Sequence, residues 1–177
     1  METRNRMTDP EFREAFRCHK DVLYRYAYRM TGSPATGEDV VQDCFVALWQ
    51  GRNGYDQDRG PLRAYLLGIT RNLILKRWRR EHPSLELDDA SLVDPPIDLL
   101  SMERDQAVKR AVESLPPLQR EVLILAEYEE MALEEIADAT QAGIPAVKSR
   151  LHRARQNLRR ALAPLLVSKG GLYGTSE

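Results

Sequence analysis

A chain of 177 residues is about the length of one domain. Its 26 Lys and Arg against 27 Asp and Glu leave a formal net charge of −1, which taken whole argues against nucleic-acid binding. With 42% hydrophobic and 30% charged residues it has the composition of a soluble globular protein, and no run reaches the ~18 apolar residues of a membrane span. The opening METRNRMTDPEF lacks an apolar signal-peptide core, so a cytoplasmic protein with no membrane insertion is expected. Cys18 and Cys44 form no C-x-x-C pair and read as small apolar helix residues rather than redox or zinc groups.

Phe12, Phe16, His19, Leu23, Tyr26, Ala27 and Met30 recur at steps of three and four, which predicts a helix that starts at Asp9-Pro10 and stops at Gly32. Ser33-Pro34 opens a second helix, with Val40, Val41, Phe45, Leu48 and Trp49 on its apolar face and Gly51 at its end. The glycine-rich stretch 51–60 is a loop. Pro61 then begins a third helix with Leu62, Tyr65, Leu66 and Ile69 inward, finishing in RNLILKRWRR. EHPSLELDDASLVDPPIDLL, residues 81–100, has three prolines and no periodicity, and reads as an extended linker. Helical pattern resumes near Ser101 and breaks at Pro116-Pro117. A helix with Leu118, Val122, Leu123, Leu125 and Ala126 follows, then a short one with Leu133, Ile136 and Ala137. After a turn at Thr140 to Gly143, a last helix carries Val147, Leu151, Ala154, Leu158 and Leu162. No strand signal stands out. The expectation is an all-α chain: residues 9–80, an acidic flexible linker 81–100, residues 101–166, and a flexible tail 167–177.

The near-neutral total conceals segregation. Residues 1–80 carry 15 basic and 10 acidic groups, residues 81–100 carry six acids and no Lys or Arg, and residues 101–177 carry 11 of each. Seven acids fall between Glu121 and Asp138 without a base, and then Lys148, Arg150, Arg153, Arg155, Arg159 and Arg160 follow without an acid. A short helix, a tight turn and a second helix with a basic outer face is helix-turn-helix geometry, whose second helix enters the DNA major groove. In this reading Ala146, Ser149, Arg150 and Arg153 face outward toward base edges, and Lys148 and Arg155 flank them toward phosphates. The block Arg71, Lys76, Arg77, Arg79 and Arg80 encloses Trp78, whose ring either stacks on single-stranded bases or packs in the core. Catalytic chemistry finds no support. His19, His82 and His152 are scattered, and there is no phosphate loop, no H-E-x-x-H and no nucleophile elbow. No enzyme, cofactor or metal is expected.

Four segments in order then carry a resemblance: LYRYAYRMTGSPATGEDVVQDCFVALW, RAYLLGITRNLILKRWRR, SLPPLQREVLILAEYEEMALEEIADA and VKSRLHRARQNLRRAL. Together they resemble the extracytoplasmic-function (ECF) sigma factors of bacterial RNA polymerase, over about residues 10–163. The resemblance implies that residues 9–80 are region 2, which binds core polymerase, recognises the promoter −10 element and assists opening. It implies that Asp39, Gln42, Asp43, Phe45 and Trp49 meet the β′ clamp helices. Asn53, Tyr55, Arg59 and Asn72 would lie where a flipped base is captured, and Arg71, Lys76, Arg77, Trp78, Arg79 and Arg80 would hold the −10 DNA. Residues 101–166 become region 4, reading the −35 element and open to the β flap, and an anti-sigma factor becomes a possible partner. The acidic linker is either a segment threading a polymerase channel or a solvated tether.

One departure from the family pattern is local. Gln141 stands where a glycine is usual at the turn, Gly143-Ile144-Pro145 falls two residues later, and Ala146 replaces a threonine. Either the turn has another geometry or the helix begins later. The competing reading is a stand-alone helix-turn-helix regulator using residues 101–163, which leaves DVVQDCF and the basic Trp78 block unexplained. With acids offsetting bases, the free chain is expected to bind DNA poorly until polymerase separates its two basic surfaces.

Overall fold

The computed structural model describes residues 7–51, 54–83 and 103–167. Seven α-helices account for nearly all of them: α1 (Asp9–Thr31), α2 (Pro34–Trp49), α3 (Leu62–Glu81), α4 (Arg104–Glu113), α5 (Pro117–Glu127), α6 (Leu133–Thr140) and α7 (Ile144–Val167). The all-α expectation is met among the described residues. The proposed linker from residue 84 onward and the proposed tail from residue 168 onward lie outside them, as does Asn53.

The helix ends follow from local chemistry. Before α1, the Thr8 backbone N–H and hydroxyl both donate to the Glu11 carboxylate at 2.8 Å, and Gly32 closes the helix in the left-handed region at φ 69°. Ser33 caps α2 by accepting from the Thr36 N–H at 3.3 Å, ahead of Pro34. The loop after α2 is less irregular than its glycines suggest. Gln57–Arg59 forms a 3₁₀ turn capped by Asp56, and the Tyr55 hydroxyl donates to the Gly60 carbonyl at 3.1 Å.

Gln141 resolves the question at the turn. It adopts φ 52° and ψ 38°, its N–H donates to the Asp138 carbonyl at 3.3 Å, and the Ala142 N–H donates to the Ala137 carbonyl at 3.1 Å. That is a Schellman closure with glutamine in the glycine position. The turn keeps its shape, α7 starts at Ile144, and the sequence bears strain of about 1–2 kcal/mol for a left-handed side chain. Gln141→Gly should therefore stabilise the chain by about 0.5–1 kcal/mol in urea unfolding, after subtracting the extra freedom of glycine in the unfolded state. A loss of stability would show that the glutamine side chain contributes more than its backbone strain costs.

α1, α2 and α3 pack on one another, as do α5, α6 and α7, and the two sets share one hydrophobic core. Tyr26, Leu23, Leu66, Leu67, Val122, Ile124, Ile136 and Val147 are essentially inaccessible to solvent. α3 lies between the sets, touching α1 and α2 on one side and α6 on the other. For that reason Leu67, Thr70, Ile74 and Leu75 are buried along with the anticipated Leu66 and Ile69. Gly68 marks the tightest approach, since a Cβ there would stand 3.3 Å from the Ala139 carbonyl of α6.

Candidate nucleic-acid interface

The helix-turn-helix is α6, the Gln141 to Gly143 turn and the first half of α7. Val147, Leu151 and Ala154 are buried and Leu158 half-buried, so the inward stripe is as expected. The outward face requires a correction. Ala146, Arg150 and Arg153 are half-buried and so flank the face rather than centre it. The centre of the exposed face is Ser149, His152 and Gln156, with Lys148 also exposed. His152 and Gln156 were absent from the expected set although the same wheel contains them. Arg153 Nη2 donates to Ser149 Oγ at 3.1 Å, which ties a flank cation to that face. Arg155 turns toward α5, donating from Nε and Nη2 to Glu127 Oε1 at 2.9 and 2.6 Å.

At the end of α3, Lys76, Arg79 and Arg80 are exposed, while Arg77 is half-buried with Nη2 3.7 Å from the exposed carboxylate of Asp39 on α2. Trp78 is half-buried and lies outside the core, its ring stacked on His82 with centroids 5.0 Å apart and planes 23° apart. Of its two readings, core packing is therefore not the one adopted. Asn72 is exposed beside Arg71, and Tyr55 packs on Tyr65 at 5.3 Å in the loop below. Arg71 is the exception in the block: its guanidinium is turned inward, Nε 2.5 Å from Oε1 of Glu121 on α5.

A third surface lies between α1 and α2, a groove of about 950 Å³. Phe12, Phe16, Phe45 and Trp49 form its floor through tilted and edge contacts at 4.8 to 6.0 Å. Phe16 is 42%, Val46 45% and Trp49 37% exposed, whereas Phe45 is 3% exposed. Phe45 is thus a core side chain beneath the groove rather than a surface contact. Phe16, which the sequence pattern assigns to the apolar stripe of α1, and Val46, which it does not single out, are with Trp49 the exposed apolar side chains at that surface. Asp39, Gln42 and Asp43 are exposed on α2 as expected.

Residues 15–83 match the family Sigma-70 region 2 and residues 105–158 match Sigma-70, region 4. The RNA polymerase sigma-E factor of Streptomyces avermitilis is 34% identical over 157 residues, covering 86% of this chain and 85% of that protein. The chain belongs to the ECF sigma factors. The ECF RNA polymerase sigma factor SigE of Mycolicibacterium smegmatis is 33% identical over 87% of this chain, which spans 62% of that longer protein. Among solved structures, the sigma factor RpoE in complex with the anti-sigma factor NepR from Bartonella quintana matches with TM-score 0.68 and 25% identity, over 86% of this chain and 96% of that one. ECF sigma factors are transcription initiation factors rather than catalysts, and a match to both regions accounts for both halves of the chain, which a stand-alone regulator does not.

No cluster of metal-ligating side chains occurs among the described residues, and no described helix is long and apolar enough to cross a membrane. The two cysteines differ from each other. Cys44 is buried as expected and burial pushes its thiol up to about 11, whereas Cys18 is exposed and its thiol donates to Glu14 at 3.1 Å.

Region 2 and region 4 of this sigma factor meet through polar contacts that sequence spacing did not reveal. The Arg71–Glu121 pair is one. Arg25 and Arg29 of α1 and Arg63 of α3 converge on Glu129 after α5, at 3.0, 3.6 and 3.5 Å. Arg63 Nη2 also donates to the Glu129 carbonyl at 2.7 Å. Lys109 donates to the Tyr28 hydroxyl at 2.6 Å, and the Arg29 guanidinium lies 4.3 Å from the centroid of the Tyr128 ring. Glu121 and Glu129, two of the seven acids in the run from Glu121 to Asp138, are only 0% and 4% exposed.

Proposed function

We propose that this sigma factor binds core RNA polymerase and directs it to promoters carrying −35 and −10 elements, acting in the cytoplasm without catalytic chemistry of its own. The observation that carries the reading is the separation of one apolar docking groove and two basic surfaces onto different elements. The α1–α2 groove, with Phe16, Val46 and Trp49 at its surface and Asp39, Gln42 and Asp43 beside it, would seat the β′ clamp helices. Lys76, Arg79 and Arg80 would follow the −10 strand, with Trp78 and the Tyr55 loop available for stacking and base capture. Ser149, His152 and the flanking Lys148, Arg150 and Arg153 of α7 would enter the −35 major groove. The β flap would take another face of region 4, and an anti-sigma factor, as in the complexes of related sigma factors, would compete for these surfaces.

Runoff transcription with purified core polymerase and a promoter library tests the proposal. Core-dependent initiation from a subset of sequences is expected, and no initiation from any of them would overturn it. At the residue level, Arg79→Ala with Arg80→Ala should reduce the salt dependence of open-complex formation by about 0.7–0.9 per lost phosphate contact. An unaltered slope would place those exposed side chains away from DNA.

A further inference from the structure

An ion pair within region 2 joins the two faces assigned above to different partners. Near the start of α2, Asp39 lies 3.7 Å from Nη2 of Arg77 in the last turns of α3. Further along α2, the Cys44 thiol donates to the Leu66 carbonyl, earlier in α3, at 3.5 Å. The two helices therefore run in opposite directions, and the acidic start of the docking helix is held against the basic end of the DNA-facing helix. Val40, Cys44, Phe45, Leu66 and Ile74 belong to the buried core and fix both helices, so a change of partner at this pair needs only the two charged side chains to move.

Arg77 differs from its basic neighbours. Lys76, Arg79 and Arg80 are exposed, whereas the Arg77 side chain is 27% exposed and directed toward α2. Arg80 lies three residues on, hence on the same face of α3, so a strand that follows Arg80 passes within reach of Arg77. Asp39 is the opposite case, with its side chain 64% exposed beside Glu38, which lines the docking groove. A pair this open to water contributes little by itself. Each member gains more from a partner that excludes water, the carboxylate from a cation across a protein interface and the guanidinium from a phosphate held by two parallel hydrogen bonds. The bridge is one that binding breaks.

We propose that Asp39 and Arg77 form an exchange contact that couples polymerase docking to −10 DNA binding: when a cation of the docked polymerase helix takes Asp39, Arg77 is released to a phosphate beside Arg80. The proposal rests on the sigma-factor reading above and adds to it a cation that Asp39 holds back until docking. By linkage the coupling runs both ways, so Arg77 opposes docking in the free chain by as much as docking favours its release. Removing this cation should then improve polymerase binding, the reverse of what a docking or structural role for Arg77 would give.

The test uses the full chain and core polymerase without DNA, at low salt where an exposed pair is least screened. Kd is measured for wild type, Arg77→Gln, Asp39→Asn, the two together, and Arg79→Gln as a control for net charge. Arg77→Gln should tighten binding about two- to fivefold, Asp39→Asn should weaken it, and adding Arg77→Gln to Asp39→Asn should change nothing further. Arg77→Lys, which keeps the charge, should bind as wild type does. A second measurement takes the holoenzyme and the salt dependence of its binding to promoter DNA that is single-stranded over the −10 element. That slope should fall by about 0.7 for Arg77→Gln and stay unchanged for Asp39→Asn, in which Arg77 is already released. An Arg77→Gln chain that binds polymerase no tighter than Arg79→Gln, or that gains equally in the Asp39→Asn background, would overturn the exchange. An unaltered holoenzyme slope for Arg77→Gln would overturn its phosphate contact. A wild type that does not bind core polymerase would instead overturn the sigma-factor reading, a result that no comparison among the variants can imitate.

Discussion

Replacing Phe16 and Trp49 together by alanine should weaken binding to core RNA polymerase by about 2–4 kcal/mol, which is roughly 30- to 1,000-fold in Kd. Both rings are large, partly exposed and set in the same groove, which is where interface energy concentrates when a partner covers it. Neither is needed to fill the core. Phe16 loses one ring contact with Phe45 at 4.8 Å, and Trp49 one with Phe12 at 5.0 Å, each about 1 kcal/mol beyond its buried area. Thermal melting of the free chain should therefore fall by about 4–8 °C from these two contacts. Phe45→Ala is the contrasting change: at 3% exposure it should cost about 3–5 kcal/mol of stability and so report on folding, not docking. A polymerase Kd that is unchanged for the double variant would move the docking site off this groove.

What was legible in the sequence was local. Gly32, the Ser33-Pro34 pair and Pro61 act within a few residues of themselves, so helix boundaries followed from residue type alone. The inward stripe of α7 followed from period. The meeting of regions 2 and 4 did not, because periodicity says which side of a helix avoids water and not which helix covers it. α3 carried a hint: LLGITRNLIL is apolar on more than one side, as a helix between two partners must be. Charged residues hid the interface more completely. Arg71 in a basic block and Glu121 in an acidic run each fit a solvated or DNA-facing position as well as a buried pair, and the two are 50 residues apart. Gln141 shows the reverse limit. The irregular residue was noticed, but only the backbone reveals that the turn kept the glycine geometry at the cost of strain.

Arg120→Met should lower the unfolding free energy by about 2–4 kcal/mol, and Arg120→Lys should restore less than half of it. The arginine sits near the start of α5, where a cation opposes that helix's own dipole. It is tolerated because the guanidinium faces the carboxyl ends of two other helices. Nη1 donates to the Met30 carbonyl in the last turn of α1 at 2.8 Å, and Nη2 donates to the Leu115 carbonyl at 3.0 Å and to the Glu113 carbonyl at the end of α4. Burial pulls the guanidinium below its ordinary pKa, with Glu113 opposing that shift. At neutral pH the group remains charged, and the negative ends of α1 and α4 supply part of its compensation. Methionine fills the space but leaves those carbonyls without a donor, and a lysine ammonium cannot span acceptors on separate elements as a planar fork does. Urea unfolding should show the midpoint falling by about 1–2 M. An unchanged midpoint would mean that water replaces the guanidinium at no cost. Because Met30 belongs to region 2 while Glu113 and Leu115 belong to region 4, scattering should also detect partial opening of Arg120→Met below its unfolding midpoint. The same side chain thereby supports both the fold of region 4 and its packing on region 2.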